Sequence, residues 1–179
     1  EIRDDREVET TEYNFDKLAF DEWHPARSHR ATFFFDDHRV LRTETSPSQV
    51  RTMEAQAPPV YIVSLGRVYR RDTPDATHTP VFHQVEGLAV DEGITLADLT
   101  GTLDFLFKAL FGQERRTEFR THYFPFTEPS IEAYVSCHVC DGAGCPVCRH
   151  SGWIEVGGAG MVDPKLFEFV GYDPERYTG

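Results

Sequence analysis

The cysteine run Cys137-x2-Cys140-x4-Cys145-x2-Cys148 restricts the fold more tightly than any other stretch of this chain. Each Cys-x2-Cys pair sets two sulfurs on one side of a tight turn. The intervening Asp141-Gly142-Ala143-Gly144 lets the backbone fold back, so that both pairs converge on one tetrahedral centre of the kind zinc prefers. Four thiolates close the shell and leave no position for water, so the expected knuckle over 137–148 is structural. It is read as stapling a strand over 131–136 to a strand over 153–156. His138 and His150 are surplus to the four ligands and are read as solvated. Disulfides in so tight a knot would staple nothing else, which points to reduced thiols and a cytoplasmic setting.

Around this knuckle, strand-like and helix-like stretches alternate without an internal repeat. Ser46-Pro47-Ser48-Gln49 predicts a helix opened by a capping box, with Val50 and Met53 on its apolar face and Pro58-Pro59 as its stop. Residues 60–64 read as a strand, Gly66 as a turn and 67–70 as a second strand. Residues 72–80 are polar and proline-containing, hence a loop, and 81–90 return to strand. Thr95 with Asp98 is another capping box, followed by Leu96, Leu99, Leu103, Leu106 and Leu110 at helical spacing up to Gly112. Gly101 inside that helix suggests a close packing partner. Residues 119–126, 131–136 and 153–156 read as strands, and 164–170 as a final helix. The connections are too short for helical crossovers, so the sheet is mostly antiparallel and the class is α+β.

Charge narrows the function. The chain has 179 residues, with 18 Lys+Arg against 30 Asp+Glu and a formal net charge of −12. That balance excludes a stand-alone nucleic-acid binder of the basic type. Half of the excess sits in residues 1–22, so the remainder can still present a local basic surface. No apolar run reaches the length of a membrane span.

Two constellations carry chemistry. In the 81–90 strand, Phe82, Gln84, Glu86, Leu88 and Val90 share one face, while Val81, His83, Val85 and Ala89 take the other. Both faces are largely apolar, which predicts a central strand. Gln84 and Glu86 then stand among hydrophobes, and a carboxylate there needs a partner. A strand end near solvent, a buried pair satisfied by arginine, and a pocket wall facing a ligand ammonium all fit. Arg67, Arg70 and Arg71 flank the loop that holds Asp72, Asp75 and His78. Arginine suits bidentate phosphate contact, although such a run also makes an ordinary solvated rim.

The run Gly66-Arg67-Val68-Tyr69-Arg70-Arg71-Asp72, continuing through Asp75-Ala76-Thr77-His78 and Phe82-His83-Gln84-Val85-Glu86-Gly87, resembles motif 2 of the bacterial phenylalanyl-tRNA synthetase α subunit. Tyr13-Asn14-Phe15-Asp16, His24-Pro25-Ala26-Arg27, Leu41-Arg42-Thr43, Thr45-Ser46-Pro47 with Gln49-Val50-Arg51, Tyr123 through Pro129, and Gly158 through Val162 extend the resemblance nearly end to end. It implies a class II synthetase core over 1–179, an antiparallel sheet flanked by helices, with the knuckle at 137–148 inserted between strands. The implied reaction activates phenylalanine with ATP. The amino acid's carboxylate attacks the α-phosphate in line, pyrophosphate leaves with magnesium, and the aminoacyl group passes to tRNA(Phe).

By the same resemblance, Arg70 clamps the α-phosphate, with Asp72 near the adenine side and His78 near the phosphates. Thr45, Ser46 and Gln49 hold the amino acid's polar groups, and Gln84 and Glu86 read its ammonium. Phe124 and Phe126 wall its ring, and Glu128 is a magnesium ligand shared with a β subunit. All are implied to line one cleft, and pairing of α subunits in a heterotetramer is implied as well. Glu44 stands where the family carries His, Arg6 where it carries a motif 1 proline, and Asp163 where it carries His. The family's motif 3 and N-terminal coiled coil are expected to lie outside residues 1–179. That leaves three expectations: the catalytic core of a ligase, a synthetase-like module that binds an amino acid, an adenylate or a partner without turnover, or, more blandly, a zinc-stabilised structural domain with no ligand.

Overall fold

The computed structural model describes residues 1–3, 5–74 and 78–179. Asp75, Ala76 and Thr77, in the middle of the expected 72–80 loop, lie outside the described residues. The chain forms two compact units: residues 1–94 with 164–179, and residues 95–163.

The first unit holds two three-stranded sheets. One is made of β1 (Ile2–Arg3), β5 (Val60–Tyr69) and β6 (Val81–Val90), in that order, with β1 parallel to β5 and β6 antiparallel. The other is made of β2 (Val8–Thr10), β3 (Phe34–Asp36) and β4 (Arg39–Leu41), with β4 in the middle. The helices are α1 (Thr11–Asn14), α2 (Pro47–Ala55) and α4 (Pro164–Val170). Phe15, Val40, Val50, Met53, Val60 and Phe167 are buried here, so α2 buries the apolar face that its sequence predicts.

Three expectations for this unit are corrected. Gly66 is not a turn. It pairs with Gln84 inside one continuous antiparallel ladder that runs from Val60↔Val90 to Tyr69↔Val81. The strand over 81–90 is not central: among the described residues β6 pairs only with β5 and forms the edge of its sheet. Its odd-numbered face is open, with Val85 68% exposed, so its apolar character does not report burial on both sides. The Ser46 capping box is also absent. Ser46 already has helical backbone angles (φ −56, ψ −29) and makes no side-chain cap bond, because its hydroxyl is drawn elsewhere.

The second unit is built on the sheet β7 (Thr117–Phe124), β8 (Thr127–Ser136) and β9 (Trp153–Val162), antiparallel throughout with β8 in the middle. All three strands differ in their ends from the sequence expectation, and Phe126 falls in the β7–β8 turn. Helix α3 (Leu96–Phe111) opens on the expected Thr95–Asp98 capping box, with both reciprocal bonds present. Its buried residue is Phe107, which meets Ala133 and Val135, with Leu103, Phe119 and Ile154 packed around them. Leu106 and Leu110 point outward, at 40% and 65% exposure. The inward stripe is therefore narrower than the leucine spacing suggests. Gly101 faces open space, where a Cβ would meet nothing within 4 Å, so the expected close partner is absent.

Candidate functional site

In the first unit, the expected polar residues assemble around the Glu86 carboxylate. Strand alternation puts Gln84 and Glu86 on the same side of β6, and the turn between β4 and α2 meets that side. The Thr45 backbone N–H donates to Gln84 Oε1 at 3.3 Å and to Glu86 Oε1 at 3.2 Å. Ser46 Oγ donates to both Glu86 oxygens, at 3.0 and 2.8 Å, and Gln49 Nε2 donates to Glu86 Oε2 at 2.7 Å. This explains the missing cap. A charge-assisted bond to a carboxylate is stronger than a neutral one to a backbone N–H, so Ser46 and Gln49 turn to Glu86 and away from their own helix end. Proline at position 47 keeps the helix start fixed without that cap.

Arg70 follows β5 directly. Its Nε donates to the Thr43 carbonyl at 3.0 Å, and its guanidinium lies 5.2 Å from the centre of the Phe82 ring. Arg70 is thus bonded to Thr43 and Glu86 to Thr45, the two residues that flank Glu44. Glu44 is 8% exposed, and burial pushes its carboxyl up to about 7, with Glu86 adding to the rise and Arg70 opposing it. Burial also raises Glu86, against the pull of its Ser46, Thr45 and Gln49 donors. Asp72 and His78 are exposed.

Three supporting residues carry no role in the sequence reading. Asn14 and Thr43 exchange two hydrogen bonds. Asn14 Nδ2 donates to Thr43 Oγ1 at 2.9 Å, and the Thr43 N–H donates to Asn14 Oδ1 at 3.1 Å. Arg42, 1% exposed, donates to the Arg67 and Asp5 carbonyls at 2.8 and 2.9 Å. Together they fix the backbone on which Glu44, Thr45 and Ser46 stand. The only sequence signal for them is their place within stretches that carry the resemblance, because buried backbone-bracing contacts have no spacing signature.

In the second unit, Phe124 and Phe126 stack with ring centroids 6.2 Å apart and planes at 23°. The Phe124 ring lies over Gly158 so closely that a Cβ there would meet it at 2.3 Å, and a Cβ at Gly160 would meet Thr127 at 2.5 Å. Gly158 thus makes room for the Phe124 ring, and Gly160 for Thr127. Glu128 is exposed on β8.

The four cysteine sulfurs lie within 4.8 Å of one another. Three of their separations are 3.9, 3.8 and 3.8 Å, close to the roughly 3.8 Å that a tetrahedron with bonds of about 2.3 Å requires. The Cys145 and Gly152 N–H groups donate to Cys148 Sγ at 3.1 and 3.3 Å. With the Cys145 N–H leading, such donors lower the Cys148 thiol to about 6. Gly152 can approach because its φ of +80 is open to glycine and a Cβ would strike the Gly142 carbonyl at 2.4 Å. This donor set fits a thiophilic metal. His138 and His150 are exposed, as expected for residues outside the set.

Residues 1–179 match the family described as tRNA synthetases class II core domain (F). The chain belongs to that family. Among curated relatives, it is 57% identical over 173 residues to a "Phenylalanine--tRNA ligase alpha subunit" of Alkaliphilus metalliredigens, covering 97% of this chain and 51% of that protein. It is 56% identical over 178 residues to the protein of the same name from Caldanaerobacter subterraneus subsp. tengcongensis, covering 99% and 52%. The chain thus spans about half the length of the curated relatives it matches. Among solved structures, pyrrolysyl-tRNA synthetase from Desulfitobacterium hafniense aligns with a TM-score of 0.64 at 17% identity, over 99% of this chain and 58% of that one. At that identity the likeness concerns the fold alone, and it agrees with a class II synthetase-like α+β core. No helix of the described residues is long and apolar enough to cross a membrane.

Proposed function

We propose that residues 1–179 are one catalytic core, with a zinc knuckle at 137–148, of a phenylalanine–tRNA ligase α subunit. Such an enzyme joins phenylalanine to ATP with release of pyrophosphate and then passes the aminoacyl group to tRNA(Phe). The observation that carries the proposal is the convergence of Thr45, Ser46, Gln49 and Gln84 with Glu86 in a chain more than half identical to proteins of that name.

The roles follow from the chemistry of each group. Glu86 supplies the counter-charge for the amino acid's ammonium, and Gln84 an acceptor beside it. Thr45, Ser46 and Gln49 hold Glu86 in place and exchange part of their bonding with the substrate. Arg70 stabilises charge on the α-phosphate during in-line displacement, with Asp72 at the adenine side and His78 near the other phosphates. Phe124 and Phe126 wall the substrate ring. No side-chain nucleophile is needed. Glu128 is assigned to magnesium that accompanies ATP, and zinc bound at the four cysteines has a purely structural part. A β subunit, α–α pairing in a heterotetramer and a cytoplasmic location complete the reading. The 53–57% identity to the curated α subunits favours this reading over the non-catalytic alternative.

The test is phenylalanine-dependent ATP–pyrophosphate exchange by the full-length protein, purified with any subunit that accompanies it. Exchange stimulated by phenylalanine and by no other amino acid is the expected result. Glu86→Gln should weaken phenylalanine binding by roughly 1–3 kcal/mol through loss of a charge-assisted bond. A full-length, folded protein that exchanges with a different amino acid, or with none, refutes the assignment.

A further inference from the structure

We propose that Glu44 is the proton-bearing member of a carboxyl pair with Glu86, and that its neutral form sets how tightly the site holds an adenylate. The proposal rests on the adenylate-forming reading above and assigns to that site a residue in which this chain departs from the family's resemblance.

The argument begins with unequal solvation. Glu86 accepts bonds from the Thr45 N–H, from Ser46 Oγ and from Gln49 Nε2. These donors replace the water that an ionised carboxylate loses on burial. Glu44 is more deeply enclosed, and among the described residues its side chain has one hydrogen bond, from Thr43 Oγ1 at 3.1 Å. That hydroxyl is itself held by Asn14 Nδ2.

Charge counting points the same way. Among the described residues, the charged or titratable groups that act on Glu44 are Arg70, which follows β5, and Glu86, on β6. Thr43 and Thr45 flank it on its own segment, and Asn14 reaches it from α1 through Thr43. Arg70 is bonded on one flank of Glu44, at the Thr43 carbonyl, and the Glu86 carboxylate on the other, at the Thr45 N–H, so one guanidinium serves a segment with two carboxyl groups. A second negative charge enclosed here would lack a counter-ion, and taking up a proton is the lower-energy outcome. The better-bonded Glu86 keeps its charge for an ammonium, so the proton falls to Glu44. Burial raises both carboxyls, Glu44 to about 7, and it is the unequal hydrogen bonding that allocates the proton.

The consequence is directional. A phosphate or carboxylate oxygen drawn in by Arg70 meets an O–H donor when Glu44 is neutral and a like charge when it is ionised. If only the neutral form binds, apparent affinity follows the neutral fraction. For a group titrating at about 7, that fraction falls about tenfold between pH 6 and pH 8. Glutamine keeps the shape and a donor but cannot ionise.

Two measurements on the full-length protein test this. The first is the infrared carboxylic-acid band of the ligand-free enzyme. A band present at pH 6, faded at pH 8 and missing from Glu44→Gln is expected. A band unchanged in Glu44→Gln overturns the proposal. The wild-type pH-difference spectrum also serves alone should the variant not fold, since no fading band between those pH values overturns the proposal as well. The second measurement is binding of phenylalaninyl-adenylate, a non-reactive analogue. About a tenfold loss from pH 6 to pH 8 in wild type, flattened in Glu44→Gln, is expected, and equal slopes in both proteins overturn it. A fading band with no analogue binding at any pH supports the proton assignment and overturns the adenylate-forming reading instead.

Discussion

The cysteine knuckle and the Glu86 cluster are both convergent polar sites, yet they are made in opposite ways. The knuckle draws its four sulfurs from residues 137–148, and the neighbouring glycines supply the tight turns and close approaches that bring them together. The Glu86 cluster draws on the β4–α2 turn, on Arg70 and on β6, with contacts up to 41 residues apart in sequence. Its geometry depends on the β5–β6 ladder holding one register over its whole length. A one-residue slip would send Gln84 and Glu86 to the opposite face. A site made by spacing can be read from the chain, whereas one made by register depends on the whole sheet.

The largest expected effect breaks the knuckle alone. Cys148→Ser, or chelation of the reduced protein, should remove about one equivalent of zinc and speed amide exchange first over 131–156. The stabilisation lost is several kcal/mol, since metal binding of this type is itself folding free energy. Uniform loss of structure across the chain would show that the knuckle is not a local staple.

The next test perturbs the register-made cluster through Glu44. Its folded-state carboxyl titrates well above the ordinary value of 4.5, so between those values the folded chain keeps a proton that the unfolded chain releases. That stabilisation is fully present below the ordinary value and is lost as pH rises through about 7. Glu44→Gln should therefore be more stable than wild type at pH 8, by up to roughly 3 kcal/mol. The gap should shrink towards acid pH. Denaturant titration at several pH values measures it, and a gap that widens towards acid pH would reverse the argument.

A smaller effect concerns the packing of the aromatic pair. Gly158→Ala places a methyl against the Phe124 ring and should cost about 1–3 kcal/mol by overpacking. Phe124→Leu in the same chain should recover part of that cost, and thermal unfolding of the single and double variants would show it. The smallest effect serves as a control on α3. Gly101→Ala meets open space and should stabilise by about 0.5–1 kcal/mol, leaving zinc content and ligand binding untouched.

Much of this architecture is legible in the residues. The α3 capping box, the extent of β6, the last helix and the fourfold cysteine set follow from local rules of capping, alternation and ligand spacing, all of which act within a dozen residues. Alternation also puts Gln84 and Glu86 on one face, and the resemblance picks Thr45, Ser46 and Gln49 as their companions. What tertiary structure decides is where competing local preferences go. Ser46 and Gln49 have the pattern of a capping box, but a carboxylate brought from 40 residues away offers them a stronger bond than their own helix end. Gly66 has the look of a turn, but cross-strand pairing with Gln84 carries the strand straight through it. Glu44 is legible only as a departure from the family's His, and only the fold, by burying it, raises its carboxyl to about 7. Local sequence fixes which groups are available, while the dielectric and the partners that decide their state come from segments far apart in the chain.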